Sequence, residues 1–119
     1  MKIGIVAFYH PEPSYEERRI LEVACSLGHE GVFLPAEECF FVQEFIEKTS
    51  KIFFRGKPLE KFDGFLVRPS VVSEVDARCT LIAELELLGV PVLNKYTSII
   101  VAKNKISTFR ALARENLPF

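Results

Sequence analysis

The chain has 119 residues, 49% of them hydrophobic and 26% charged, and a formal charge of −1. That length supports one ordinary core and is short for two. The near-balanced charge excludes the broad positive field that draws proteins to nucleic acid or anionic lipid. Cys25, Cys39 and Cys79 are odd in number and widely spaced, with no C-x-x-C pair, the pattern of a reduced, intracellular chain. The apolar N-terminal run meets turn residues at His10 and Pro11, so it is too short to span a membrane. No small-residue cleavage pattern follows it. A cytoplasmic protein is expected, with neither nucleic acid nor membrane as a partner.

Residues 2–8 are apolar and rich in β-branched types, and the turn from His10 to Pro13 closes them, which predicts a buried strand. Ser14 followed by Glu17 is a capping-box pattern. Ile20, Val23, Ala24 and Leu27 then recur at helical spacing up to Gly28, predicting a helix of about four turns. Residues 31–34 before Pro35 suit a second strand, completing a right-handed parallel unit.

Residues 39–54 break at Lys48-Thr49-Ser50, and Arg55-Gly56-Lys57-Pro58 gives a second turn signal. An antiparallel hairpin is expected there, with one helical turn over residues 43–48 as the alternative. Residues 64–67 read as another buried strand, ended by Arg68-Pro69-Ser70. Val75, Cys79, Ile82 and Leu85 predict a helix from Ser73 to Gly89, and residues 90–93 a short strand. Helices over Thr97–Ala102 and Lys105–Glu115 finish the chain, the second with Ile106, Phe109, Leu112 and Ala113 on one face and Asn104 as N-cap. The class is therefore α/β: an open, mostly parallel Rossmann-like sheet with helices on both faces plus an inserted β-hairpin, as one domain over residues 1–119.

The loop after the first strand reads Phe8-Tyr9-His10-Pro11, without the G-x-G-x-x-G that lets backbone approach a pyrophosphate. Neither a phosphate-binding G-x-x-x-x-G-K-[ST] loop, a G-x-S-x-G elbow nor an H-E-x-x-H helix occurs. No catalytic or metal-binding residue is expected. What remains are polar residues at the carboxyl ends of strands, where open parallel sheets bind ligands. Tyr9 and His10 are weak candidates, because polar residues in surface turns are most often solvated. Arg68 offers a planar fork to a carboxylate or phosphate, or simply a surface ion pair. Asn94 is a candidate for the same side or for a local turn hydrogen bond. Lys103 and Lys105 read on composition alone as a solvated pair at a helix start.

Three runs, Leu93-Asn94-Lys95-Tyr96-Thr97, Lys103-Asn104-Lys105-Ile106-Ser107-Thr108 and Leu112-Ala113-Arg114-Glu115-Asn116-Leu117-Pro118, resemble RimK-like ATP-grasp ligases. There the pattern is V-L-N, a helix, D-K-x-x-T, then L-x-x-x-G-I-P. The opening strand, Gly28-His29-Glu30 and Val67-Arg68-Pro69 are also similar, so the likeness covers nearly the whole chain. Asn104 stands where the family usually has Asp, Asn116 where it usually has Gly, and Arg68 precedes the proline instead of following it. The resemblance implies the N-terminal, pre-ATP-grasp domain of a carboxylate–amine ligase. Such an enzyme phosphorylates a carboxylate with ATP and Mg2+ and lets an amine displace the phosphate. It further implies Lys105 on a nucleotide phosphate, and Arg68 and Asn94 on the substrate side. The ATP-grasp domains and the magnesium ligands would lie outside this chain, which would be inactive and cofactor-free alone. Expected partners are an amino acid such as glutamate or a protein C-terminal tail, the enzyme's own ATP-grasp domains, and further copies in a homo-oligomer. Two rival readings are a free-standing flavodoxin-like or receiver-like module acting by protein contact, and a carboxylating or phosphoribosyl-handling ATP-grasp enzyme.

Overall fold

In the computed structural model, residues 1–8, 11–69 and 77–118 are described. The first strand, β1 (Lys2–Ala7), carries the apolar run into the interior. Helix α1 (Tyr15–Ser26) starts at Ser14, whose backbone N–H donates to Glu17 Oε2 at 2.9 Å, one limb of the expected capping box. It stops at Gly28, at φ 81°, where the amides of Gly28 and His29 donate back to the carbonyls of Cys25 and Ala24. That left-handed closure is why a glycine stands there. With 12 residues, α1 is about three turns long, one fewer than expected.

Strand β2 (Glu30–Pro35) runs parallel to β1, with Lys2 beside Glu30 and Ala7 beside Pro35. A 3-10 turn at Ala36–Glu38 leads into β3 (Cys39–Glu44) and β4 (Thr49–Phe54), which pair antiparallel. The expected hairpin is present, and residues 45–48 form its turn in place of the alternative helical turn. Arg55 and Gly56 then reverse the chain into β5 (Lys57–Pro58), a third strand the sequence showed only as a turn signal. Strand β6 (Gly64–Arg68) returns parallel to β1 on the side opposite β2, and β7 (Val92–Leu93) pairs parallel with β6. The main sheet has the order β2-β1-β6-β7, and β3-β4-β5 form a second sheet.

Register and alternation sort the side chains. Val6, Leu34, Phe65, Val67 and Val92 share one face and pack with Leu81, Ile82 and Leu85 of α2 (Ala77–Glu86) and Ile52 of β4. Gly4 belongs to that face: a Cβ there would lie 2.6 Å from Phe65 Cδ1 and 2.8 Å from Leu34 Cδ1. The opposite face is covered by α1, whose Leu21 and Ala24 lie over Gly31. Helices therefore lie on both faces, as the α/β reading expects.

The inward stripe of α1 needs correction. Ala24 is buried and Ile20 half-buried as expected, but Val23 and Leu27 are 43% and 67% exposed; Glu17 and Leu21 take the sheet-facing positions instead. Both sets obey helical spacing, and the charge of Glu17 hid the true one. In α2, Cys79, Ile82 and Leu85 are buried as expected and Leu81 joins them; residues 73–76 of the expected helix lie outside the described residues. Helix α3 (Tyr96–Lys103) is followed by α4 (Lys105–Arg114), which Asn104 caps by accepting the Ser107 N–H at 2.9 Å. The end of α4 explains one family departure. Asn116 has φ 54°, and Asn116 and Leu117 donate to the carbonyls of Ala113 and Leu112, the left-handed closure where Asn is the usual substitute for Gly. No residue of α4 is buried.

Candidate functional site at the carboxyl edge of the sheet

The chain leaves β1 toward β2 on one side, while β6 and β7 build outward on the other. The crevice outside the carboxyl ends of β1 and β6 is thus the topological switch point, where open α/β sheets place ligands. Arg68 is the last residue of β6 and stands in register with Ala7, the last residue of β1. Alternation points its side chain to the α1 face, toward the first turn of that helix.

There Arg68 Nε lies 3.5 Å from Glu17 Oε1, and Arg68 Nη2 lies 3.8 Å from Glu16 Oε1. Glu17 is entirely buried while the Arg68 side chain is 39% exposed. Glu17 Oε2 accepts the Ser14 N–H, whereas Glu17 Oε1 and Arg68 Nε are buried with no hydrogen bond of their own. Two complementary buried groups face each other just beyond hydrogen-bond length. Glu16 also accepts from Ser14 Oγ at 3.0 Å.

Asn94 follows β7, and its Nδ2 donates to the Val67 carbonyl at 3.2 Å, tying the end of β7 to the end of β6. The Leu93–Asn94 peptide bond is cis. Arg68 and Asn94 thus stand at one edge, and the Asn94 amide makes a bond to a strand 27 residues away, which differs from the local turn hydrogen bond that was its alternative reading. Tyr9 and His10 lie outside the described residues. Lys105 is the exposed first residue of α4, whose main packing is against α3. Glu17 was missed as a site residue, because its capping-box position marks only a helix start.

Two clefts of about 390 and 410 Å3 lie elsewhere, on either side of residues 58–62, with walls of mostly apolar residues such as Leu34, Phe54, Phe65 and Val90. Among the described residues no three His, Cys, Asp or Glu gather as a metal cage, and no helix is long and apolar enough to cross a membrane.

The family description "RimK PreATP-grasp domain" matches residues 1–99, most of the chain. The chain belongs to the RimK pre-ATP-grasp domain family. The match takes in the sheet, Arg68 and Asn94 and ends within α3. A probable alpha-L-glutamate ligase of Pseudomonas putida (strain F1) is 28% identical over 103 residues, 87% of this chain and 33% of that protein. The protein of that name in Pseudoalteromonas translucida is 27% identical over 117 residues, 98% of this chain and 37% of its own length, so that likeness takes in α4. This RimK-family chain thus spans about a third of the length of the curated relatives it matches. A RimK domain ATP-grasp protein of Sphaerobacter thermophilus shares the fold, with a TM-score of 0.62 at 22% identity, covering 96% of this chain and 39% of that one.

Proposed function

We propose that this chain acts as the substrate-side domain of an ATP-dependent carboxylate–amine ligase whose substrate is glutamate or a similar amino acid. The observation that carries the reading is Arg68, a half-exposed guanidinium at the switch point of a RimK-family domain. In the reaction of such ligases ATP phosphorylates a carboxylate, turning a poor electrophile into an acyl phosphate that an amine attacks, releasing phosphate. Within this chain, Arg68 would hold a substrate carboxylate by the two-pronged hydrogen bonding a guanidinium offers and an ammonium does not. Asn94 ties the ends of β6 and β7 together at the same edge.

Lys105 fits a nucleotide phosphate: it is exposed, cationic and first in a helix whose N-terminus favours anions. In this reading magnesium is held by oxygen ligands of the ATP-grasp domains. The same reading takes as partners the enzyme's own ATP-grasp domains, glutamate or a similar amino acid, and a protein C-terminal tail or small metabolite, in a homo-oligomer in the cytoplasm.

The test is hydroxylamine trapping. An acyl phosphate formed from ATP and L-glutamate yields a hydroxamate whatever the natural acceptor, so the polypeptide carrying this domain joined to ATP-grasp domains is assayed with ATP, magnesium, L-glutamate and hydroxylamine. Arg68→Ala should raise the KM for L-glutamate by about tenfold or more, the size of one charged hydrogen bond. Hydroxamate formation with wild-type kinetics in the variant removes Arg68 from the site.

A further inference from the structure

A guanidinium has two hydrogen-bonding edges: a side-on edge formed by Nε and Nη2, and an end-on edge formed by Nη1 and Nη2. In Arg68 the side-on edge faces the first turn of α1, with Nε 3.5 Å from Glu17 and Nη2 3.8 Å from Glu16. Nη1 has no partner among the described residues, and more than a third of the side chain is open to solvent. Glu17 is the fixed member of this arrangement, being buried and anchored through Oε2 by the Ser14 N–H. Its Oε1 has no hydrogen bond, and neither has the Nε that faces it. A buried carboxylate oxygen left without a partner is costly, so a cation placed against it is held there.

We propose that Glu17 is a positioning residue: it occupies the side-on edge of Arg68 and so turns the end-on edge into the crevice outside the carboxyl ends of β1 and β6, ready for the carboxylate of a small ligand. The capping box thereby does two things with one side chain. One oxygen starts α1 and the other aims the arginine, which couples the start of the helix to the carboxyl end of β6. A long, flexible arginine held in advance loses less freedom when its ligand arrives. The ligand half of this inference rests on the function proposed above, while the aiming of Arg68 stands on the geometry alone.

Gln serves the N3 position of a capping box as Glu does, so Glu17→Gln keeps the helix start and removes only the charge facing Arg68. The Nε–H signal of Arg68 is followed by 15N NMR in the ligand-free chain, and Glu17→Gln is run in the hydroxylamine assay beside Arg68→Ala. The expected results are a slowly exchanging Arg68 Nε–H in the wild type that exchanges at least tenfold faster in Glu17→Gln, and a raised KM for L-glutamate with kcat little changed. Unchanged exchange in a folded Glu17→Gln chain, as judged by its thermal transition, overturns the inference. Faster exchange in Glu17→Gln together with an unchanged KM in Arg68→Ala upholds the aiming of Arg68 and sinks its role with glutamate.

Discussion

Gly4 sits in the middle of β1 where the ring of Phe65 and the end of Leu34 close over it, and both residues are almost wholly buried. In Gly4→Ala the new methyl would stand 2.6 Å from Phe65 Cδ1 and 2.8 Å from both Phe65 Cε1 and Leu34 Cδ1, distances real Cβ atoms do not occupy. The ring is hemmed in by its core neighbours, so the strands must part, which costs about 1–3 kcal/mol. Alanine restricts the unfolded chain more than glycine does and recovers about 0.5–1 kcal/mol. The net expectation is a loss of about 1–2 kcal/mol. Gly31→Ala is the internal control: its methyl would meet Leu21 Cδ2 at 2.9 Å, the free end of a half-buried side chain that can swing aside, so the two contributions should nearly cancel. Urea unfolding followed by circular dichroism gives both values, and the Gly4→Ala midpoint on heating should fall by roughly 4 °C per kcal/mol. Equal stability of the two variants would refute the account of how Phe65 packs across β1, and with it the closeness of β1 and β6 on which the crevice depends.

Burial, with Glu38 and Glu37 beside it, pushes the Cys39 thiol up to about 12 from its ordinary 9.0, so at pH 8.5 iodoacetamide should label the exposed Cys25 and leave Cys39 unlabelled in the folded chain; equal labelling, read by peptide mass, would show the Cys39 environment to be wrong. Because that thiol titrates higher folded than unfolded, its contribution to stability is complete below pH 9.0 and is lost as the pH climbs toward 12. Lys105→Ala should change the stability of the chain by less than about 0.5 kcal/mol, since the residue is exposed, and should weaken ATP binding to a polypeptide that includes the ATP-grasp domains by about 1.5–3 kcal/mol. Calorimetric titration of ATP decides the second half, and equal affinities would take Lys105 out of the nucleotide site.

The alternation of β-branched strands with capped helices was legible, because each signal is local: an apolar run before His10, Ser14 with Glu17, Gly28 at a left-handed closure. The parallel sheet follows from their order. The inward face of α1 was not legible, since two stripes share Ile20 and Ala24 and choosing the right one meant placing a glutamate indoors. Only the partner across the sheet makes that placement sensible, and Arg68 lies some fifty residues later in the chain. β5 escaped for a similar reason, its two residues earning their pairing only from Phe53 and Phe54 already in place. Arg68 could be found from the sequence as a polar residue ending a strand, but its position at the switch point needed the strand order.

The claim that the crevice outside the carboxyl ends of β1 and β6 receives a carboxylate is tested most directly by titrating L-glutamate into the 15N-labelled chain and mapping the amides that move. Arg68, its strand neighbour Ala7 and Asn94 should shift together, with an affinity in the millimolar range expected of one small ligand on half a site, and the shifts should vanish in Arg68→Ala. Shifts confined to the clefts around residues 58–62, or identical shifts in wild type and Arg68→Ala, would contradict the account.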